Sequence, residues 1–347
     1  MGDFTVAPYN SRGGRFSNLP LHFYGRLDNR PLQQSEPKGP LLHSCKPLDV
    51  DKLPLPLTEQ VNPSTVDFDL LTTPDLLHRI NDEDRRAAWA VEREIDVIAT
   101  AVDAITERLR TGGKLHYFGA GSSGRIAVLD AAEMQPTFSA GDLVVAHIAG
   151  GPEAFMGPAE GAEDDAGAGG AEVRKAGIGR ADVLIGISAG GGAPYVLGAM
   201  DTGSQAGALT ACITSNPESP IVRSVQIPIV LRTGPEVIAG STRMKAGAAQ
   251  KMALTMISTA VMVKLGKVYG NLMVDLIASN AKLRGRAERL TERISGKDAR
   301  ACKQALERAG YQVKTAVVML LCSCDATEAK TKLSRAGGNL RSILREA

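Results

Sequence analysis

The sequence predicts an α/β fold, with a parallel five-stranded sheet flanked by helices and a C-terminal small helical domain. Five short apolar runs are separated mostly by segments of crossover length. Continuous apolar runs of this kind are typical of parallel strands that are buried on both faces. After Gly240 the apolar residues instead recur mainly at helical spacing.

The bulk composition limits the classes of partner. Lysine and arginine number 40 against 38 aspartate and glutamate residues, a net charge of +2. This balance gives no reason to expect a nucleic-acid or membrane-surface partner. Every apolar stretch is interrupted before about 20 residues, so no membrane span is predicted.

The five cysteines and five histidines form no disulfide or metal-ligand pattern. The cysteines are odd in number and scattered, and no CxxC pair or histidine pair at helical spacing occurs. A disulfide framework and a zinc site are therefore not expected, which indicates a reducing, cytoplasmic compartment. His116 and His147 lie inside strand patterns and are interpreted as core or edge residues.

Residues 1–56 differ from the rest of the chain. They mix Pro, Gly, Ser, Arg and Gln with isolated aromatic residues and show no lasting period. We predict a mostly disordered N-terminal extension. No continuous apolar segment follows the first basic residues, which argues against a secretory signal. A transit sequence and a mis-assigned start codon are the alternatives.

Residues 57–104 are predicted to form an N-terminal helical segment. Thr73 and Pro74 open a short helix, because proline is favoured in a first turn. Asn81 is predicted to cap the next helix, with acidic residues in its first turn. Apolar residues at helical spacing continue this helix to a stop at residues 111–113.

Residues 105–267 are predicted to contain the sheet, and residues 268–347 a C-terminal helical region. The strands are predicted at Leu115–Phe118, Leu143–Ile148, Val183–Ser188, Leu209–Thr214 and Ile227–Leu231. Three Gly-rich turns, at residues 119–124, 149–152 and 189–192, each follow a strand and are expected to gather at one edge, where ligands bind. A long helix is predicted from Met244 to Lys264, then short helices with breaks at Gly296, Gly310 and residues 337–338.

The stretch from Lys114 to Pro136 predicts a phosphate site. A strand, a glycine–serine turn and a helix start present backbone N–H groups, the positive end of a helix and the hydroxyls of Ser122 and Ser123, while Gly124 permits close approach. The pattern is neither a nucleotide P-loop nor a dinucleotide fingerprint. Ser188 and Gly190 belong to a second serine–glycine turn. For each turn the alternative is a tight turn without a ligand.

Two carboxylates are candidates for acid–base catalysis. Glu133 follows the phosphate turn in an apolar context, and Glu163 follows the next strand in an acidic cluster. An acid–base pair needs different environments, here Glu133 as the desolvated acid and Glu163 as the ionised base. The alternative is that both lie on solvated helix surfaces.

Residues 236–247 form a further candidate anion site. Glu236 precedes a predicted helix start that carries Ser241 and Arg243. The alternative is an ordinary capped helix with a solvated basic edge.

Several longer motifs occur in a fixed order along the chain. They are LTEQVNPSTVDFD at 57–69, GAGSSGR at 119–125, LDAAEMQPTF at 129–138, EGAEDD at 160–165, GSTRMKAGAAQK at 240–251 and KVYGNLMVD at 267–275. In these motifs the chain resembles the N-acetylmuramic acid 6-phosphate etherase family, whose members are sugar-isomerase (SIS) domain enzymes. The resemblance extends from about residue 57 to the C-terminus and implies a flavodoxin-like three-layer sandwich.

The resemblance implies a carbon–oxygen lyase that acts on an open-chain sugar phosphate. A base removes the acidic C2 proton, lactate leaves from C3, and water then adds. Glu133 falls on the family's acid, and Glu163 on its second catalytic glutamate, for which C2 proton removal is the natural role. No metal or redox cofactor is implied. The resemblance and the apolar run 244–264 also suggest a homodimer, with Lys267 and Asn271 reaching the partner's site or, alternatively, packing the tail.

One motif departs from the family pattern. Members usually carry Ser-Gly-Arg-Thr-Pro-Tyr after the third strand, whereas this chain has Gly-Gly-Gly-Ala-Pro-Tyr at residues 190–195. A serine and a threonine expected to hold phosphate are missing, and Ser188 is expected to substitute. The alternatives to the etherase are a non-catalytic sugar-phosphate sensor, like the related glucokinase regulatory protein, and a sugar-phosphate isomerase.

The spacing of the two predicted functions on one helix poses a geometric question. Ten residues of straight helix would separate Ser123 from Glu133 by about 15 Å, more than a hexose phosphate spans comfortably. Either the helix ends early, near Asp130, or its two ends serve the sites of different subunits. We expect that the helix ends early, near Asp130.

Overall fold

The computed structural model describes residues 55–157 and 159–346 of the chain. The described residues form one compact unit. The predicted N-terminal extension, residues 1–56, lies almost wholly outside the described residues. The subdivision at residues 57–104, 105–267 and 268–347 stays a prediction.

The central sheet has five parallel strands in the order β2-β1-β3-β4-β5. The strands are β1 (Leu115–Gly119), β2 (Val144–Ile148), β3 (Val183–Ile187), β4 (Leu209–Thr214) and β5 (Ile227–Val230). All five predicted strands are confirmed, each end to within one residue. Every residue of β1 and β3 is buried, which explains why these strands are apolar apart from His116. The strand order reverses between β1 and β3, which in such sheets is the switch point where ligands bind.

Helices cover both faces of the sheet. One face packs against α1 (Thr73–Glu92), α2 (Ile95–Arg110), α3 (Gly121–Phe138) and α8 (Lys245–Lys264), and the other against α5 (Ala166–Lys175), α6 (Pro194–Gln205) and α7 (Pro220–Ser224). The short α4 (Glu153–Met156) follows β2. The predicted three-layer sandwich is therefore confirmed. None of the described helices has the length and apolarity that crossing a membrane requires.

The predicted helix start at Asn81 is wrong. Asn81 lies inside α1, which is capped by Thr72 and runs without a break to Glu92. The acidic residues that suggest a first turn include Glu83, which is buried and pairs with Lys245 of α8. Because Lys245 neutralises Glu83 from a distant part of the chain, the acidic run can lie in the middle of a helix.

The predicted early end of α3 near Asp130 is also wrong, because α3 continues to Phe138 with Pro136 inside it. Asp130 is buried and held from two sides. The Tyr117 hydroxyl donates to its Oδ2 and the Ser258 hydroxyl to its Oδ1, both at 3.0 Å. These bonds fix the middle of α3 against β1 and α8.

The C-terminal region begins with a hairpin that the sequence patterns do not predict. Strands β6 (Val268–Tyr269) and β7 (Leu272–Met273) are antiparallel, and Gly270 supplies the positive φ of 59° at the first turn position. Five helices follow and share an apolar core of their own: α9 (Ala281–Ser295), α10 (Ala299–Arg308), α11 (Val313–Cys322), α12 (Ala326–Arg335) and α13 (Leu340–Glu346). The predicted glycine breaks lie between these helices.

Candidate active site

A cleft of about 430 Å³ opens at the carboxyl ends of β1 and β3, at the switch point of the sheet. Its walls come from the turn after β1, the turn after β3, and the acidic pair Glu163 and Asp164. The strap, defined here as residues 55–60, forms a further wall through Pro56, Thr58 and Glu59. Two of the three predicted Gly-rich turns thus line this cleft, and residues 149–152 do not.

The turn after β1 has the features of an anion site. A Cβ at Gly119 would lie 2.7 Å from the backbone nitrogen of Gly124, so glycine allows the strand end and the helix start to approach. No side chain among the described residues caps the N-terminus of α3, and its N–H groups face this edge. Ser122 and Ser123 line the cleft, and the Ser123 hydroxyl donates to Gln250 Oε1 at 3.0 Å.

The turn after β3 forms the opposite wall. Ser188 is buried and lines the cleft, and its Oγ accepts the N–H of Gly191 at 3.0 Å. Gly191 has φ of 73°, and a Cβ there would lie 2.1 Å from Ser219 Oγ, so this position requires glycine. Gly190 lies on the cleft and is exposed.

Glu163 is the predicted catalytic residue that the structure brings to the cleft. It lies in a short 3-10 turn, Ala162–Asp164, with its side chain exposed. Upstream, Arg125 of α3 donates to the carbonyls of Phe155 at 3.1 Å and Gly157 at 2.7 Å. These bonds hold the chain that leads to Glu163 against the helix that begins at the phosphate turn.

Glu133 does not reach the cleft of its own chain. It is exposed on α3, about 15 Å along the helix from Ser123, and lines a separate groove of about 370 Å³ with Asp130 and Lys251. That groove shares Lys251 and two threonines with a larger, apolar groove of about 800 Å³ between α2 and α8. The predicted desolvation of Glu133 is absent within a single chain.

Residues 236–247 lie beside the cleft and contribute one side chain to its wall. Glu236 is buried and accepts the N–H groups of Lys245 at 3.2 Å and Ala246 at 2.9 Å, so it caps α8. Burial raises the pKa of Glu236, although these N–H groups partly oppose the shift. Thr242 lines the cleft, while its neighbours Ser241 and Arg243 do not.

Lys267 lies outside the cleft. Its ammonium is 3.4 Å from a carboxylate oxygen of Asp275, which also binds Lys314 at 2.8 Å. These residues line a pocket of about 300 Å³ beside α11. Within one chain, Lys267 is thus engaged at the junction of the hairpin and the C-terminal helices.

Sequence reasoning missed several residues that touch the cleft or its serines: Thr58, Glu59, Asp164 and Gln250. Each lies within a motif that carries the family resemblance, but no periodicity or turn pattern distinguishes it. Thr58 and Gln250 reach the site from distant parts of the chain, so only the tertiary structure reveals them.

The fold and the cleft define the class of protein, a SIS-type α/β domain with a cleft at the switch point of its sheet. The family model "Glucokinase regulatory protein N-terminal SIS domain" matches residues 97–204. The N-acetylmuramic acid 6-phosphate etherase of Deinococcus radiodurans is 48% identical over 290 residues, which are 83% of this chain and 95% of that protein. The one of Mycolicibacterium smegmatis is 46% identical over 288 residues, 83% of this chain and 97% of that protein. The chain belongs to the N-acetylmuramic acid 6-phosphate etherase family.

A solved structure of a phosphoheptose isomerase from Francisella tularensis superposes with a TM-score of 0.43 and 16% identity, over 56% of this chain and 100% of that one.

Proposed function

We propose that the chain cleaves the C3 lactyl ether of N-acetylmuramic acid 6-phosphate, giving N-acetylglucosamine 6-phosphate and D-lactate. It is then a carbon–oxygen lyase of cell-wall amino-sugar recycling. The observation that carries this proposal is the 48% identity to an etherase over 95% of that relative's length. The cleft supports it independently, because it combines an anion site with a carboxylate.

The phosphate of the substrate binds at the N-terminus of α3, where backbone N–H groups and the hydroxyls of Ser122 and Ser123 converge. Ser188 and Gly190 contribute from the opposite turn. Ser241 and Arg243, on either side of the cleft-lining Thr242, are further proposed substrate contacts, with Glu236 holding the helix start behind them.

The reaction begins with the open-chain aldehyde, whose carbonyl makes the C2–H bond acidic. The Glu163 carboxylate takes the C2 proton, and the electron pair delocalises into the carbonyl. The C3–O bond then breaks, the departing lactate oxygen takes a proton from the acid, and an unsaturated aldehyde remains. Water adds to C3 and returns a proton to C2, which restores a saturated sugar.

The acid in this scheme is Glu133, supplied by a second copy of the chain. The continuous helix α3 holds Glu133 about 15 Å from the phosphate turn of its own chain. The groove beside Glu133 merges with the apolar groove between α2 and α8, where Ile95 and Met256 are exposed at 43% and 40%. A homodimer across this surface would cover the apolar side chains and desolvate Glu133. Lys267 and Asn271 are assigned to the partner's site in the same proposal.

We also assign the protein to the cytoplasm. Cys212, Cys302, Cys322 and Cys324 are all thiols, as a reducing compartment favours.

The deciding experiment mixes the purified protein with N-acetylmuramic acid 6-phosphate in H₂¹⁸O and measures D-lactate. Elimination and water addition predict lactate release with ¹⁸O in the C3 hydroxyl of the sugar product. The match to the glucokinase regulatory protein domain favours a sugar-phosphate sensor as the second candidate. Binding of the substrate without release of lactate would support that sensor and refute the etherase.

A further inference from the structure

Thr58 has the properties of a residue that binds a ligand in the cleft. Its side chain is 1% exposed and it belongs to the cleft wall, yet its Oγ1 has no hydrogen-bond partner among the described residues. A buried hydroxyl without a partner is destabilising and uncommon in folded proteins. This hydroxyl therefore indicates a hydrogen bond to a ligand that the free chain does not contain.

The backbone around Thr58 is fixed, so the Cβ of this residue is held beside the cleft. The carbonyl of Thr58 accepts the N–H of Gly240 at 3.1 Å. Further along, Asn62 Nδ2 donates to the carbonyl of Pro235 at 3.2 Å. These two bonds tie the strap region to the loop that precedes α8. Rotation about χ1 of Thr58, which can bring the hydroxyl to the position of the methyl group, needs no movement of this backbone.

Gly190 lies directly opposite this hydroxyl. An ideal Cβ at Gly190 would lie 3.9 Å from Thr58 Oγ1, with no other non-neighbouring atom within 4 Å. Gly190 does not have a positive φ, and therefore neither backbone conformation nor crowding requires glycine there. The absent side chain leaves space in the cleft between the turn after β3 and the strap.

We propose that Thr58 is a substrate-binding residue whose hydroxyl donates to a phosphate oxygen of the sugar phosphate in the space above Gly190. The inference deepens the proposed function and rests on it for the identity of the ligand. The other phosphate contacts lie around the same cleft, at Ser122, Ser123 and Ser188. Thr58 thereby supplies, from the strap, a hydroxyl that the turn after β3 lacks at residue 190.

The test compares Thr58→Val, which keeps the shape and removes the hydroxyl, with Thr58→Ser, which keeps the hydroxyl. Binding of N-acetylglucosamine 6-phosphate is titrated by calorimetry, and lactate release gives KM and kcat. Loss of one hydrogen bond to a charged oxygen predicts about 10- to 100-fold weaker binding and a similarly raised KM for Thr58→Val. Thr58→Ser stays within about threefold of the original chain, and kcat changes less than KM.

A second variant tests the place of the contact. Because a Cβ fits at Gly190, Gly190→Ser adds a hydroxyl opposite residue 58, and in the Thr58→Val background it restores at least part of the lost affinity. Thr65→Val is the matched control, since Thr65 is also buried but donates to the carbonyl of Val237 at 3.0 Å and does not line the cleft. It lowers thermal stability and leaves affinity unchanged.

Equal affinities of Thr58→Val and the original chain would overturn the assignment of Thr58. The titration needs no turnover, so it decides this point even if no lactate is released. Failure of lactate release with intact sugar-phosphate binding would overturn only the proposed reaction. An original chain that binds no sugar phosphate would overturn both.

Discussion

Glu163 is the single residue on which the proposed chemistry most depends, because it is the one member of the predicted acid–base pair that lines the cleft of its own chain. It lies in a short 3-10 turn, on the wall of the cleft that also contains Ser122 and Ser123. The loss of a residue that removes the C2 proton should lower kcat more than it changes substrate affinity.

Glu163→Gln is therefore expected to lower kcat by at least about 100-fold while KM changes little, because the amide cannot take the proton. Lactate release over a range of substrate concentrations measures both constants. Glu160→Gln is the matched control from the same acidic cluster, since Glu160 does not line the cleft, and it should retain activity. Similar losses in the two variants would argue that charge in the cluster, and not proton transfer, matters.

His116 makes stability depend on pH. His116 Nδ1 and His147 Nε2 lie 3.0 Å apart in the buried sheet. Burial, and then the charge of His147, lower the pKa of His116 to about 4. An unfolded histidine has a pKa of about 6.5, so between these values the unfolded chain binds more protons. The stabilising contribution is thus present above about pH 6.5 and is lost as pH falls through this window.

Replacing His116 with glutamine should remove this part of the acid sensitivity. At pH 5, compared with pH 7, the group accounts for a loss of about 2 kcal/mol in the free energy of unfolding. Urea denaturation at the two pH values should show a smaller difference for His116→Gln than for the original chain. His78→Gln, at an exposed position of α1, serves as control. Identical pH differences in all three proteins would refute the role of His116.

At the scale of elements, a buried ion pair joins α1 to α8. Glu83 and Lys245 are 4% and 1% exposed, and the Lys245 ammonium donates to a carboxylate oxygen of Glu83. Burial alone would raise the pKa of Glu83, but the hydrogen bond and charge of Lys245 outweigh it and lower the pKa. Each charge is stabilised mainly by the other, because neither side chain is well solvated.

Glu83→Gln should destabilise the protein by about 3–5 kcal/mol, since it leaves the Lys245 ammonium buried without its counter-charge. The double variant Glu83→Gln, Lys245→Met should recover much of this loss. Asp82→Asn breaks the exposed pair with Arg85 on the same helix and should cost less than about 1 kcal/mol. Chemical denaturation compares the four proteins, and a double variant no more stable than Glu83→Gln would contradict the unpaired-charge explanation.

The same elements explain which parts of the fold follow from sequence. The strands are predictable because most of their residues are apolar, as burial in a parallel sheet requires, and the serine–glycine turns follow from where those strands end. The break at Asn81 is mispredicted because Glu83 finds its partner 162 residues further along the chain. The end of α3 is mispredicted because Asp130 is bound from β1 and α8. Thr58 escapes prediction since its neighbour Gly190 is distant in sequence.

At the scale of the whole molecule, the proposed site needs two copies of the chain. The cleft holds the phosphate turn and Glu163, whereas Glu133 lies on the surface that includes the apolar groove between α2 and α8. In a symmetric dimer each chain would give its acid to the other, so two sites would form from two half-sites.

Complementation between inactive variants tests this arrangement. Co-expressed Glu133→Gln and Glu163→Gln chains should regain about a quarter of the original activity, because about half of the dimers are mixed and each has one intact site. The pair Ser122→Ala and Glu163→Gln should gain nothing, since both residues lie in the cleft of one chain. No recovery in the first pair would refute the shared site. An active Glu133→Gln chain would instead assign the acid to another carboxylate, and Glu59 and Asp164 line the cleft.

The unbroken course of α3 constrains how this protein can vary. Each residue added between Ser123 and Glu133 would turn the glutamate by about 100° around the helix axis and move it by about 1.5 Å. A single insertion or deletion would thus aim the acid away from its target, and an added pair of turns would restore the angle but overshoot by about 10 Å. In the proposed dimer, the length of this segment is therefore more constrained than the identity of its exposed side chains.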